Sequence, residues 1–340
     1  MLGKGEEPPL VDLPYCCGRA LRQGAGVFFQ RCVIQTVCIE MKYSGRTFQL
    51  SDIMAYCSCP RAFYYQRVRG MKRQFIDWRA VVGIALHRVI QTIHQERGYF
   101  SRPSVVGRLV GHFYHQAWES FYLRGIKVRG DGINSLEPYV EMLRGYMALE
   151  GNREAEVLLA EASYRFRIKP FRTTYYLQGS IDQLRRNRDG TLELIEFKSG
   201  RRRECSPFRL MLDYQLSMHA YALYRGEFQI EENGGWRALN LIPDYLSLYF
   251  LQDHLPYRRS GRKVDANNGK VVVYRKGEAR GAALYRTTRP LQRLQSISEE
   301  LGRVCAAIRR GEFFRRPNEL CQKYCAFNGY CQAELERPCS

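Results

Sequence analysis

Three residues near the middle of the chain have the types and spacing for phosphate chemistry. In GSIDQLRRNRDGTLELIEFKSG, Asp182 precedes Glu196, and Lys198 follows Glu196 by two positions. The segment reads as two strands joined by Arg188, Asp189 and Gly190, a three-residue hairpin loop whose glycine takes the left-handed position. Pairing Asn187 with Thr191 and counting outward sets Leu184 opposite Leu194, Ile181 opposite Phe197 and Asp182 opposite Glu196. Two of these pairs are apolar, which supports the register. The remaining one sets two carboxylates side by side, a repulsion that a cation between them would remove. Alternation along a strand puts Glu196 and Lys198 on one face. Hard oxygen ligands suit Mg²⁺ or Mn²⁺. Such an ion polarises a phosphate and acidifies a bound water, and a lysine beside it orients or deprotonates that water. The competing reading is a solvent-facing sheet edge with ordinary charges, because D…ExK spacings also arise by accident.

The elements that must position these residues follow from periodicity and punctuation. Ordered structure is expected from about Thr47. Ser51 reads as the N-cap of a short helix, and Pro60 as the first residue of the next, since a proline there loses no hydrogen bond. That helix runs to Gly70. Longer helical patterns cover 78–97, 104–123 and 136–150. Strands follow from Val157, and after LELIEFK a single helix is predicted from Pro207 to Tyr224. YLSLYFLQ and KVVVYRK read as strands, and a last helix covers 289–310. Helices, then strands, then helices imply an α/β core with an added helical layer. No GxxxxGK motif is present, which argues against an NTP-driven motor.

The 340 residues carry 53 Lys and Arg against 34 Asp and Glu, a net charge of +19. Basic clusters at Lys72–Arg73, Arg201–Arg203, Arg258–Arg262 and Arg315–Arg316 are interleaved with 23 tyrosines and 17 phenylalanines. That combination favours nucleic acid as a partner. No stretch has the length and apolarity of a membrane span, and the N-terminus lacks the apolar core of a secretory signal, so a cytoplasmic setting is expected and no membrane partner. The 12 cysteines then argue for metal before disulfide. Residues 1–45 show no clear period and read as an extension, with residues 46–340 as the main domain.

With these residues assembled, the chain resembles the RecB-like branch of the PD-(D/E)XK nuclease superfamily. GSID, IEFKSG and the helix DYQLSMHAYAL correspond to its core motifs, and GIALHRVIQ resembles its helical G-x-x-x-H motif. CPRAFYYQ resembles the CPR entry of the iron–sulfur members, and PNELCQKYCAFNGYC their terminal cysteine triplet. The resemblance covers roughly Thr47 to Cys331. It implies a restriction-endonuclease-like mixed sheet flanked by helices, with a helical layer and a C-terminal cysteine cluster region. By resemblance, Asp182 and Glu196 bind Mg²⁺ or Mn²⁺, His87 is a further ligand, Phe197 adds its carbonyl, and Lys198 positions the attacking water. Spacing alone does not separate His87 from His94. Gln215 matches a Q-x-x-x-Y motif in which His219 stands at the tyrosine position and Tyr221 lies two residues on.

Cys59, Cys321, Cys325 and Cys331 correspond to the ligands of a [4Fe–4S] cluster. Zinc in four thiolates is the alternative, Cys57 could replace Cys59, and Cys339 is a spare. The late spacing, C-x₃-C-x₅-C, is one residue longer in its first gap than is common in the family. Arg61, Arg201, Arg202, Arg203, Arg258–Arg262 and Tyr221 are candidate DNA contacts. The implied activity is a metal-dependent DNA nuclease, an exonuclease similar to the CRISPR-associated enzymes that trim DNA ends during spacer acquisition, with an integrase complex as partner. The alternatives are a stand-alone exonuclease of the exonuclease V type, a non-catalytic DNA-binding subunit and a zinc-stabilised adaptor.

Overall fold

A computed structural model describes residues 45–130, 136–151, 154–170, 172–200, 206–230, 235–256, 260–264, 271–278, 284–319 and 321–336. The expected N-terminal extension lies outside them apart from residue 45. The strands are β1 (Thr47–Gln49), β2 (Phe75–Asp77), β3 (Lys127–Arg129), β4 (Glu156–Ile168), β5 (Tyr175–Arg186), β6 (Leu192–Lys198), β7 (Glu227–Ile230), β8 (Gly235–Ala238), β9 (Tyr245–Phe250), β10 (Gly261–Val264), β11 (Val271–Tyr274) and β12 (Leu284–Thr287). The helices are α1 (Leu50–Ser58), α2 (Pro60–Phe63), α3 (Trp78–Gln95), α4 (Val106–Tyr122), α5 (Glu137–Glu150), α6 (Pro207–Met211), α7 (Tyr214–Arg225), α8 (Leu291–Arg310), α9 (Cys321–Tyr324) and α10 (Asn328–Glu336).

A mixed sheet runs in the order β12-β9-β6-β5-β4-β7-β8, with β1 added in parallel beside β5. Strand β6 is antiparallel to β5 and parallel to β9. Both of its edges are therefore paired and its two faces are covered, so Glu193 to Phe197 are all buried although two of the five are glutamates. One face packs under α1, α7 and α8 through Ile53, Leu194, Leu216, Leu248, Leu294 and Leu301. The other packs against α3, α4 and α5 through Ile195, Phe197, Tyr249, Val82, Tyr114 and Leu143. The expected mixed α/β architecture with flanking helices is the observed one.

Two expected boundaries move. The helix expected from Ser51 begins at Leu50 with Gln49 as its N-cap, because the Asp52 carboxylate reaches back to accept the Gln49 N–H at 3.0 Å. The single helix expected from Pro207 to Tyr224 is two helices, broken at Leu212 and Asp213. Asp213 starts α7 afresh by accepting the Leu216 N–H at 2.8 Å, a side-chain cap that competes with helix continuation. The 6% exposed Arg289 donates to the carbonyls of Leu210 (2.6 Å) and Asp213 (3.2 Å) and to Ser217 Oγ (2.9 Å). The break is thereby held by one buried guanidinium.

Candidate active site

The hairpin has the register read from its residues as far as Gln183, but the expected Ile181–Phe197 pair does not form, since Ile181 lies in the core under α7 and α8 and Phe197 in the core against α3, α4 and α5. Asn187 N donates to Thr191 O at 2.8 Å, Leu184 opposes Leu194, and Gln183 opposes Ile195. Gly190 adopts φ 84°, a conformation that costs a residue with a side chain about 1 kcal/mol or more. One step beyond Gln183, Asp182 Oδ2 accepts the Phe197 N–H at 2.7 Å, so a carboxylate stands where a ladder carbonyl would. Ile181 and Leu184, three residues apart, both face the core under α7 and α8. Strand β5 thus changes phase across Asp182, and Asp182 is free to turn toward α3.

Strand β4 is irregular at the facing position. Ala160 opposes Gln183 and Ala162 opposes Ile181. Between them Glu161 has φ 48°, a left-handed conformation that costs a non-glycine residue on the order of 1–3 kcal/mol and concentrates at functional sites. His87 of α3 completes the group. Its Nδ1 lies 3.3 Å from Asp182 Oδ1 and 3.4 Å from Glu161 Oε1. One ligand atom from each of His87, Glu161 and Asp182 lies within 4.8 Å of the others, a spacing that one metal ion can bridge.

The glycine of G-x-x-x-H has a physical reason here. A Cβ on Gly83 would lie 3.1 Å from Ser199 Oγ, a tight contact, so the absence of a side chain at residue 83 eases the close approach of α3 to the end of β6. That approach brings His87, four residues later, over the strand ends.

Glu196 sits beside this group. Lys198 Nζ donates to Glu196 Oε1 (2.9 Å) and to Gln215 Oε1 (3.0 Å), while Gln215 Nε2 donates to Glu196 Oε1 (2.7 Å). The carboxylate, the ammonium and the amide form a closed triangle joining β6 to α7. Lys198 has three N–H donors and spends two of them here, leaving one for a water or a substrate oxygen. The second oxygen of Glu196, Oε2, lies 3.3 Å from His219 Nε2.

The electrostatics of the two groups differ. Burial disfavours ionisation of Glu196, but His219 and Lys198 hold its carboxyl well below the ordinary range. Burial lifts the Glu161 carboxyl; His87 offsets part of this, and the charges of Asp182 and Glu196 lift it further. Burial would lower His87, yet its contacts with Asp182 and Glu161 raise it to about 10. The carboxylates around His87 therefore lack enough positive charge and hold a proton to supply it. A divalent ion would answer the same need and would displace that proton. An open cleft of about 770 Å³ exposes His87, Glu161, Asp182, Glu196 and Gln215, with Arg88 and Gln91 on its wall.

The model of one family, the PD-(D/E)XK nuclease superfamily, matches residues 48–332. The chain belongs to the PD-(D/E)XK nuclease superfamily. No curated protein matches it. Among solved structures, "Crystal structure of SSO0001" is similar at 15% identity, covering 85% of this chain and 86% of that one, with a TM-score of 0.36. At that score the likeness carries no weight for the site.

In this PD-(D/E)XK chain the structure brings together His87, Asp182, Glu196, Lys198 and Gln215 from α3, β5, β6 and α7. Phe197 is 2% exposed, and its amide is engaged by Asp182. Glu161 escaped the sequence reading. Its signal, an acid in the strand that pairs with GSID, is faint, because the left-handed turn that aims it has no residue signature. Three candidate DNA contacts lie among the described residues and none lines the cleft; Arg262 is exposed on β10, opposite Val273 of β11. Tyr221 is 9% exposed in the core, edge-on to Phe166 at 5.2 Å, because α7 buries that face under the sheet. Arg61 stacks near Tyr64 and Tyr65 (4.8 and 5.4 Å) and is paired with Glu334 of α10. Its guanidinium is thus committed to joining α2 to the C-terminal segment. Arg201, Arg202, Arg203, Arg258 and Arg259 lie outside the described residues.

The Cys325 thiol is raised by burial, lowered in part by the Phe327 N–H, and raised further by the charges of Cys321, Cys59 and Cys331; among the described residues, the group close enough to share one ion is His87, Glu161 and Asp182, not these thiols. Asn318 N–H points at Cys321 Sγ at 3.4 Å. Tyr65 packs on Phe327 (5.9 Å) and Tyr330 (6.2 Å), and Arg61 N donates to Phe314 O at 3.1 Å. Cys305, by contrast, is buried in α8. No described helix is long and apolar enough to cross a membrane.

Proposed function

We propose that this chain is a divalent-metal-dependent deoxyribonuclease of the RecB-like branch, an exonuclease that works on DNA ends. The observation that carries the reading is that the His87–Glu161–Asp182 group lines one open cleft with Glu196 and Gln215, which Lys198 links. His87, Asp182, Glu161 and Glu196 would hold Mg²⁺ or Mn²⁺, with the Phe197 carbonyl as a further oxygen. Such an ion supplies Lewis acidity toward a phosphate and lowers the pKa of bound water. The remaining N–H of Lys198 orients the attacking water, and Gln215 fixes the Lys198 ammonium against Glu196 so that this donor has a defined direction. Arg88 on the cleft wall and the net charge of +19 favour a polyanionic substrate.

The test is cleavage of labelled single-stranded and duplex DNA with Mn²⁺. Asp182→Ala and Lys198→Ala are each expected to lower the rate by at least about 100-fold, as loss of a positioned catalytic group does. Equal rates in wild type and both variants would sink the assignment.

The same reading extends to a [4Fe–4S] cluster on Cys59, Cys321, Cys325 and Cys331. The charge that Cys321, Cys59 and Cys331 exert on Cys325, and the N–H···S contact from Asn318 to Cys321, suit thiolate ligands. Cys59, Cys321, Cys325 and Cys331 would hold such a cluster, which would tie the start of α2 to the C-terminal segment. It closes a loop of roughly 260 residues, worth on the order of several kcal/mol in the chain-entropy model. Iron and sulfide analysis tests it, with Cys59→Ser expected to lose both; stoichiometric zinc would replace this part of the reading. The ordered motifs CPR, G-x-x-x-H, D, ExK and the terminal cysteines also support a role in CRISPR spacer acquisition beside an integrase. An integrase gene beside this one, and co-purification of the two proteins, would test that role; a gene with no such neighbour would favour the exonuclease V type.

A further inference from the structure

His219 lies one turn after Gln215 on α7 and is 1% exposed. Two groups meet its ring from opposite sides. The Tyr164 hydroxyl of β4 is 3.1 Å from Nδ1, and Glu196 Oε2 is 3.3 Å from Nε2. The approach at Nε2 lacks hydrogen-bond geometry, so Nε2 is a buried polar atom aimed at a carboxylate without a formed bond. An unmade bond at such depth is costly, and a small rotation of the carboxylate would form it.

Glu196 Oε1 already accepts from Lys198 and Gln215. Oε2 is therefore the oxygen left for a metal, and its orientation is set by what else it accepts. An ionised carboxylate only accepts, so a bond from His219 requires the proton on Nε2 and leaves Nδ1 to accept from the Tyr164 O–H. The Tyr164 ring is held by stacking on Phe166 (5.9 Å) and by contact with Phe228 (5.6 Å). A Cβ on Gly179 would fall 2.6 Å from the Tyr164 hydroxyl. The glycine of GSID thus clears the space in which that hydroxyl reaches His219.

We propose that His219 is a positioning residue: it donates Nε2–H to Glu196 Oε2, with its tautomer fixed by Tyr164, and so sets the rotation of the carboxylate toward the metal. This rests on the nuclease reading of the site and deepens it. The histidine acts through Glu196 and touches no substrate. It also gives a reason for the departure from Q-x-x-x-Y at this position, since an imidazole offers one nitrogen to each of two buried partners.

The experiment is Mn²⁺ titration of the full chain by electron paramagnetic resonance, with thermal melts to confirm folding. His219→Phe keeps the ring and is expected to weaken Mn²⁺ binding 10–100-fold, the usual effect of losing an outer partner of a metal ligand. His219→Gln carries an amide nitrogen near the place of Nε2 and is expected to recover most of that loss. Tyr164→Phe removes only the hydroxyl and is expected to weaken binding about fivefold. Unchanged affinity in His219→Phe, beside loss of binding in Asp182→Ala, would overturn this proposal alone. Binding that Asp182→Ala also leaves unchanged would overturn the site reading with it. If His219→Phe does not fold, Tyr164→Phe decides: wild-type affinity there would overturn the role of His219.

Discussion

Replacing Glu193 with glutamine removes one charge from the centre of the molecule while nearly keeping its shape. Glu193 is 0% exposed on β6. It accepts from Arg185 Nε and Nη2 (3.1 and 2.7 Å), from Arg286 Nε and Nη2 (2.7 and 3.0 Å) and from Ser247 Oγ (2.6 Å). Burial opposes its ionisation, but Arg286, Arg185 and Ser247 outweigh burial and carry the carboxyl from 4.5 to about 2. At about 1.4 kcal/mol per pKa unit, the ionised form is favoured by roughly 3 kcal/mol in the folded state. Arg286 is 45% exposed, so solvent screens part of this and about 2–3 kcal/mol is the better figure. The variant also leaves Arg185, 1% exposed, with only Glu150 as a full countercharge, and breaking a buried pair usually costs about 3–5 kcal/mol.

Glu193→Gln is therefore expected to lose about 3 kcal/mol at pH 7. That corresponds to a fall in Tm of about 5 °C for some 300 residues at about 2 cal/mol/K each. The sign with pH follows from the depressed folded value. The contribution is complete above about 4.5 and is lost as pH falls toward about 2. Urea unfolding of both proteins should show a gap that is constant from pH 7 to 5.5 and narrows in stronger acid. Equal stability at pH 7, or a gap that does not narrow in acid, would refute the reasoning.

Glu161→Gly should stabilise the metal-free protein by up to about 1 kcal/mol, because glycine accepts φ 48° without strain. The same change should weaken Mn²⁺ binding at least tenfold; calorimetry and urea unfolding on one sample read both. Gly179→Ala places a methyl against the Tyr164 hydroxyl and ring and 3.2 Å from Leu50 Cβ, so overpacking should cost about 1–3 kcal/mol by urea unfolding. A Gly179→Ala protein as stable as wild type would mean that Tyr164 yields more easily than its packing implies.

The hairpin was readable in the sequence because its turn and its apolar pairs are local. Asn187, Gly190 and Thr191 set the register, and Leu184 opposite Leu194 confirms it. Pro60, Trp78 and Gly226 mark element ends for equally local reasons. What was not readable depends on contacts between distant segments. The left-handed turn at Glu161 lies where β4 pairs with β5, between the Ala160–Gln183 and Ala162–Ile181 pairs. The break between α6 and α7 involves Arg289, some 75 residues downstream. Tyr221 looks like an exposed motif residue in the sequence, but α7 is covered along most of its surface and the ring ends in the core. Arg61 reads as a free cation until Glu334 from the far end of the chain is placed beside it.

The phase change of β5 at Asp182 has a mechanical meaning. On the Asp182 side the site is anchored to α3, which belongs to one hydrophobic core; on the Glu196 side it is anchored to α7, which belongs to the other. An ion held by His87, Glu161, Asp182 and Glu196 would then act as a rivet through the sheet, joining the layer of α3 to the layer of α7. Loading that rivet should make the layers unfold as one unit, and removing it should let the α3 layer loosen first.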